Sequence, residues 1–129
     1  MPLETARAGL VDANRRETVL TSATIRAAEH LDISNATLGA IIGVSQPTVS
    51  RMKTGSYRLS EGSKPFEMAQ LFLRMFRSLD SIVGSDDVAA QSWLTTENTA
   101  LHGRPIDLIQ TVTGLVSTAS YLDSRRAIV

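Results

Sequence analysis

An all-α fold is what this 129-residue sequence predicts, and three observations carry it. Apolar residues recur at i, i+3 and i+4 in successive windows from Arg15 to Leu122, the period of a helix with one buried face. Helix starts and stops separate those windows, with Ser45, Ser63 and Ser85 placed as caps and Gly43, Gly55, Gly84 and Gly103 as stops. Nowhere do apolar and polar residues alternate in the way of a half-buried strand. The predicted order is a helix-turn-helix N-terminal domain, a long helix, and a small helical module.

Residues 1–14 show no sustained period and read as a mobile arm. The N-terminal domain spans 15–63. It opens with a helix from Arg15 to Leu31, whose stripe is Val19, Leu20, Ala23, Ala27 and Leu31. Asp32 to Asn35 break that helix, and Ser34 or Asn35 caps the next. The stretch TLGAIIGVSQPTVSRMKTG, residues 37–55, then organises the domain. Leu38, Ile41 and Ile42 form one apolar face, and Gly43 stops it because glycine alone takes the left-handed conformation freely. Ser45 caps a second helix with Pro47 in its first turn, where a missing N–H costs nothing. Val49 and Met52 point that helix inward and Gly55 ends it. Small Gly39 leaves room for the two helices to cross closely.

Two helices joined by a short glycine-containing turn place the second in a DNA major groove. Its outer side carries Ser45, Gln46, Thr48, Ser50, Arg51, Lys53 and Thr54. Gln matches adenine, Arg matches guanine, and short hydroxyls reach phosphates or base edges. Beyond Gly55, Tyr57 and Arg58 lie on a polar loop; Tyr57 either reaches a phosphate or packs beneath the loop. The stretch resembles the Xre-type helix-turn-helix of bacterial and phage repressors.

A connecting and dimerisation helix is expected over 64–84, with Pro65 in its first turn. Its apolar residues cover roughly 220° of the wheel at ~100° per residue, wider than a surface helix needs. It should therefore be covered twice, by the helix-turn-helix and by either the C-terminal module or a second protomer. Met68, Leu71, Phe72, Met75 and Leu79 are the expected dimerisation residues. The module 85–129 follows. Ser85 caps a helix with Asp86 and Asp87 in its first turn and Val88, Ala89, Trp93 and Leu94 buried. Thr96 to Leu101 reads as a short helical turn, Pro105 opens another, and Val112 to Leu122 forms the last helix.

Net charge is zero, yet the halves differ. Residues 1–64 hold eight Lys/Arg against six Asp/Glu, and residues 65–129 hold five against seven. The basic charge thus gathers on and after the presumed recognition helix, where phosphates would lie. So weak a charge in one copy argues for an assembly with more than one DNA-binding unit. With no cysteine, disulfides and thiolate metal sites are excluded. His30 and His102 are the only imidazoles, no glycine-rich phosphate loop occurs, and Asp86 and Asp87 are explained by helix capping. Neither catalysis nor a metal or cofactor is expected. No leader pattern and no membrane-length apolar run is present, so a cytoplasmic protein is expected.

From Trp93 onward the pattern is specific: Trp93-Leu94, Asn98, Leu101, Gly103, PIDLI at 105–109, TVTGLV at 111–116, Leu122 and Arg125-Arg126. It resembles the toxin-binding domain at the C-terminus of Xre/MbcA/ParS-type antitoxins. The glycine that often follows that family's final Leu-Arg-x segment has no counterpart here. The resemblance implies an antitoxin that neutralises a RES-domain, NAD+-degrading toxin and binds its own promoter as a homodimer or a larger complex with the toxin. On this reading Leu101, Pro105, Ile106, Arg125, Arg126, Ile128 and Val129 contact the toxin. The competing expectation is a stand-alone repressor whose C-terminal half only dimerises.

Overall fold

The computed structural model describes residues 3–126, with side chains from Arg7 onward. Helix α1 (Leu3–His30) is 28 residues long. It begins at Leu3 and so takes in most of the segment expected to be an arm. No proline interrupts Leu3 to His30, so the helix runs on through its first turns although residues 7–14 add no buried stripe. Leu10 and Val11 stay exposed there. The helix stops where Asp32 turns left-handed at φ 54°, with the Ile33 N–H donating to the Ala28 carbonyl at 2.9 Å.

The predicted stripe of α1 holds except at Val19, with Leu20 and Ala23 half-buried against the core, and the buried face is wider than the stripe. Ile25, Ala27, Ala28 and Leu31 are buried, together with Thr21 and Thr24, whereas Val19 is 59% exposed. Both threonines are tolerated because their hydroxyls are engaged. Thr24 donates to the Leu20 carbonyl at 2.8 Å, and Thr21 accepts from the Leu59 N–H at 3.0 Å.

Helices α2 (Asn35–Ile42) and α3 (Gln46–Thr54) pack together and lie against α1 and α4 (Lys64–Ile82). Ser63 caps α4, accepting from the Phe66 N–H at 3.3 Å. The wide apolar arc of α4 is covered within a single chain, by α1 and α2 and by the final helix, α7 (Val112–Arg126). Phe72, Met75 and Leu79, expected at a dimer face, are therefore core residues, all buried to 1% exposure or less. Met68 and Leu71 are half-buried. The α4–α7 seam also holds a polar clasp. Asp123 accepts from the Ser78 hydroxyl at 2.6 Å and from Arg74 Nε at 2.8 Å.

The junction into α5 (Asp87–Thr95) differs by one residue from expectation. Gly84 and Ser85 both have positive φ, so Ser85 completes the turn and Asp86 becomes the cap, accepting from the Ala89 N–H at 3.1 Å. Ala90 and Leu94 are the buried residues of α5; Val88 is 74% exposed, and Trp93 and Ala89 are half-buried. Residues 96–101 are not a helical turn. Asn98 and Gly103 pair backbone to backbone, and the Asn98 side chain accepts from the Leu101 N–H at 3.1 Å. An Asn carboxamide that satisfies a nearby N–H competes directly with helix formation. Pro105 opens α6 (Pro105–Leu108). In α7 the buried residues are Leu115, Thr118, Ala119 and Leu122, while Val112 and Val116 face outward.

Candidate nucleic-acid and partner interface

The helix-turn-helix forms because each of its helices is capped by a serine. Ser34 accepts from the Thr37 N–H at 3.1 Å, and Ser45 accepts from the Thr48 N–H at 3.2 Å. Gly43 stops α2 at φ 81° and Gly55 stops α3 at φ 80°. A Cβ at Gly39 would stand 2.5 Å from the Val44 carbonyl oxygen. The small residue thus makes room for the turn itself and not for a helix crossing. The same Gly39 carbonyl accepts from Gly43 and Val44, which fixes the turn. Val49 and Met52 are buried, so the opposite side of α3 faces out.

On that outer side Ser45, Gln46, Ser50, Arg51, Lys53 and Thr54 are exposed and Thr48 is half-buried. Ser45 and Thr48 share a hydroxyl contact at 2.9 Å, and Thr54 donates to the Arg51 carbonyl at 3.1 Å. Ser50 accepts from Asn35 at 3.3 Å, a link between the two helices that no local pattern announces. Among the described residues neither Arg51 nor Lys53 is in an ion pair, so both cations face solvent unspent. Gln46, Arg51 and Lys53 together present an amide, a guanidinium and an ammonium on one short helix, the donor set for base edges and phosphates.

The loop after α3 behaves differently. Tyr57 packs half-buried against the core, as the second of its two sequence readings expects. Arg58 is held against α1, donating to Asn14 at 3.2 Å and lying 3.6 Å from Glu17. Arg16 grips Glu61 through two bonds of 2.9 Å, and Glu17 accepts from the Glu61 N–H at 2.8 Å. These pairs are about 45 residues apart in sequence, beyond the reach of any local motif.

In the C-terminal module, Leu101 and Ile106 are half-buried, whereas Pro105 is buried and shapes the start of α6. A Cβ at Gly114 would lie 1.9 Å from the Leu108 carbonyl oxygen, so α7 starts directly against the end of α6. Trp93 and Tyr121 stack with ring centroids 6.4 Å apart. Arg125 lies 5.2 Å over the Tyr121 ring and donates to its hydroxyl at 3.2 Å. Arg126 is exposed; Ile128 and Val129 fall outside the described residues.

The two halves also meet at His30. Its Nδ1 lies 2.9 Å from Asp87, its ring stacks on Phe76, and its carbonyl accepts from Gln91 at 2.9 Å. The hydrogen bond to Asp87, then that carboxylate's charge, raises the imidazole pKa above its ordinary 6.5. Among the described residues no three His, Asp or Glu side chains converge as a metal site would need.

Capped, short-turned helices with an exposed donor face define a DNA-binding protein of the helix-turn-helix class, here carrying a second helical module. Residues 11–74 match the family model of the antitoxin Xre-like helix-turn-helix domain, and residues 78–127 match that of the antitoxin Xre/MbcA/ParS C-terminal toxin-binding domain. The chain therefore carries an antitoxin Xre-like helix-turn-helix domain followed by an Xre/MbcA/ParS C-terminal toxin-binding domain, neither of them catalytic. No curated protein matches it.

Proposed function

We propose that this antitoxin neutralises a RES-domain toxin that degrades NAD+ and represses its own operon from the promoter. The observation that supports it most is that the two antitoxin domains share one helix. The match to the DNA-binding domain ends at residue 74 and that to the toxin-binding domain begins at 78, both inside α4. A toxin bound to one domain therefore acts on the other through a packed element. In this reading Gln46, Ser50 and Arg51 read bases, Lys53 neutralises phosphate, and Ser45, Thr48 and Thr54 line the approach. The toxin meets the C-terminal module around Leu101 and Ile106 and at Arg125, and the tail from Arg126 onward covers the toxin's NAD+ site.

DNA binding takes two copies, giving palindromic half-sites about one helical turn, ~34 Å, apart. With Phe72, Met75 and Leu79 inside the chain, pairing uses another surface. No helix among the described residues is long and apolar enough to cross a membrane, and the cytoplasm is the compartment proposed. Co-expression with the RES-domain protein of an adjacent reading frame tests the function. Cellular NAD+ is held by the full chain and falls again when the chain is truncated after Arg125, which keeps Asp123 on Arg74 and Ser78, while the complex still forms. NAD+ depletion despite the full chain contradicts it.

A further inference from the structure

We propose that the toxin docks in the cleft walled by Trp93 and Tyr121, which takes an apolar toxin side chain flanked by a carboxylate that pairs with Arg125. The proposal deepens the antitoxin reading and rests on it. The cleft holds about 320 Å³ between α4, α5 and α7, with Leu79 and Leu122 as its buried floor. Ile82 at its edge is 44% exposed, an apolar side chain left in water at the mouth of an apolar cleft.

Every residue lining the cleft lies within 78–127, the segment matched to a toxin-binding domain. Trp, Tyr and Arg are the side chains that dominate binding energy at protein interfaces, and all three stand together here. Their packing also preorganises them. The ring stack and the Arg125–Tyr121 bond hold three large side chains in place before any partner arrives, which lowers the ordering cost of association.

Charge sets the complement. Among the described residues Arg125 has no carboxylate within ion-pairing distance. The nearby Asp123 is already engaged by Arg74 and Ser78. An incoming carboxylate therefore finds a guanidinium held in place by an aromatic ring. A second copy fits poorly, because a two-fold contact through this patch would set Arg125 against its own counterpart.

The test titrates full-length antitoxin with the purified product of the adjacent reading frame, following affinity by calorimetry. Ile82→Glu and Arg125→Glu should each weaken binding by about tenfold or more. Val88→Glu and Val112→Glu, at exposed apolar positions of the same module outside the cleft, should leave it within about twofold. Thermal melts establish that the four variants are folded. Trp93 is the only tryptophan, so fluorotryptophan labelling gives one antitoxin 19F resonance, which should shift when toxin is added.

Unchanged affinity in both cleft variants, or an unmoved resonance on saturation with toxin, overturns the cleft. So does a change in self-association of Ile82→Glu at unaltered toxin affinity, which would make the cleft a contact between copies. Absence of binding by the unmodified chain overturns the antitoxin function itself, and the cleft with it.

Discussion

Arg51 and Lys53 leave α3 two positions apart, yet they make different predictions. A guanidinium that pairs with a base edge contributes to specificity, whereas an ammonium on a phosphate contributes to affinity for any sequence. Arg51→Ala should cost about 1–3 kcal/mol on the operator and relax preference at one base pair. Lys53→Ala should weaken all sequences alike and flatten the dependence on salt. Gel-shift titrations at two salt concentrations separate the two. Gly114 gives a prediction about folding. Alanine there places its methyl 1.9 Å from the Leu108 carbonyl oxygen, against backbone that cannot swing aside. The α6–α7 junction must shift, at a cost of about 1–3 kcal/mol or more, read as a lower denaturant midpoint. Glycine at 43 and 55 was readable as helix-stopping chemistry, but the need for glycine at 114 was not. It arises from the approach of one helix to the end of another, which a single sequence does not encode locally.

At the scale of elements, capping chemistry made three of the helices, α2, α3 and α4, legible. Ser34, Ser45 and Ser63 each accept from an N–H three residues on, the arrangement that their spacing predicts. Three features were hidden. The width of the buried face of α1 depends on two buried threonines that look polar in a hydropathy pattern but bond within the core. The shift of the α5 cap from Ser85 to Asp86 depends on a left-handed turn at a serine. The covering of α4 by α7 decides that its wide apolar arc is core, and periodicity alone could not distinguish a neighbour in the same chain from a second copy. The contact between α1 and α5 carries a pH dependence. The hydrogen bond to Asp87, then that carboxylate's charge, favours the charged form of His30, with Asp80 and Glu29 adding to the field. Its folded-state pKa exceeds the unfolded 6.5, so its contribution is complete below pH 6.5 and fades as pH rises through the folded value. NMR titration should find the His30 imidazole above 6.5, and Asp87→Asn should return it toward 6.5 and remove the associated slope in stability. Asp123 has the opposite sign. Its hydrogen bond from Ser78, then that from Arg74, hold its pKa below 3.8, so the α4–α7 clasp persists above 3.8 and is lost as acid takes the pH through the folded value.

For the whole molecule, the division of charge and the continuity of α4 matter more than any one residue. A chain with no net charge has little long-range attraction for DNA, so a copy on its own should bind weakly and lose what affinity it has in modest salt. Light scattering at micromolar concentration should therefore find at least two copies, alone or with the toxin; a monomer under both conditions contradicts paired half-sites. The division into a DNA-binding half and a toxin-binding half was legible from two separate residue patterns. The cleft was not, because Trp93, Tyr121 and Arg125 come together only through the packing of α5 on α4 and α7; of the three, only Arg125 stood out in the sequence as an expected toxin contact. Neutralisation of an NAD+-degrading partner is the property on which the functional reading stands. It is measured most directly by following NAD+ hydrolysis by the purified RES-domain protein of the adjacent reading frame as the antitoxin is titrated in. The rate should fall to background at a fixed ratio of the two proteins. A rate that stays unchanged at a large excess of antitoxin contradicts the assignment.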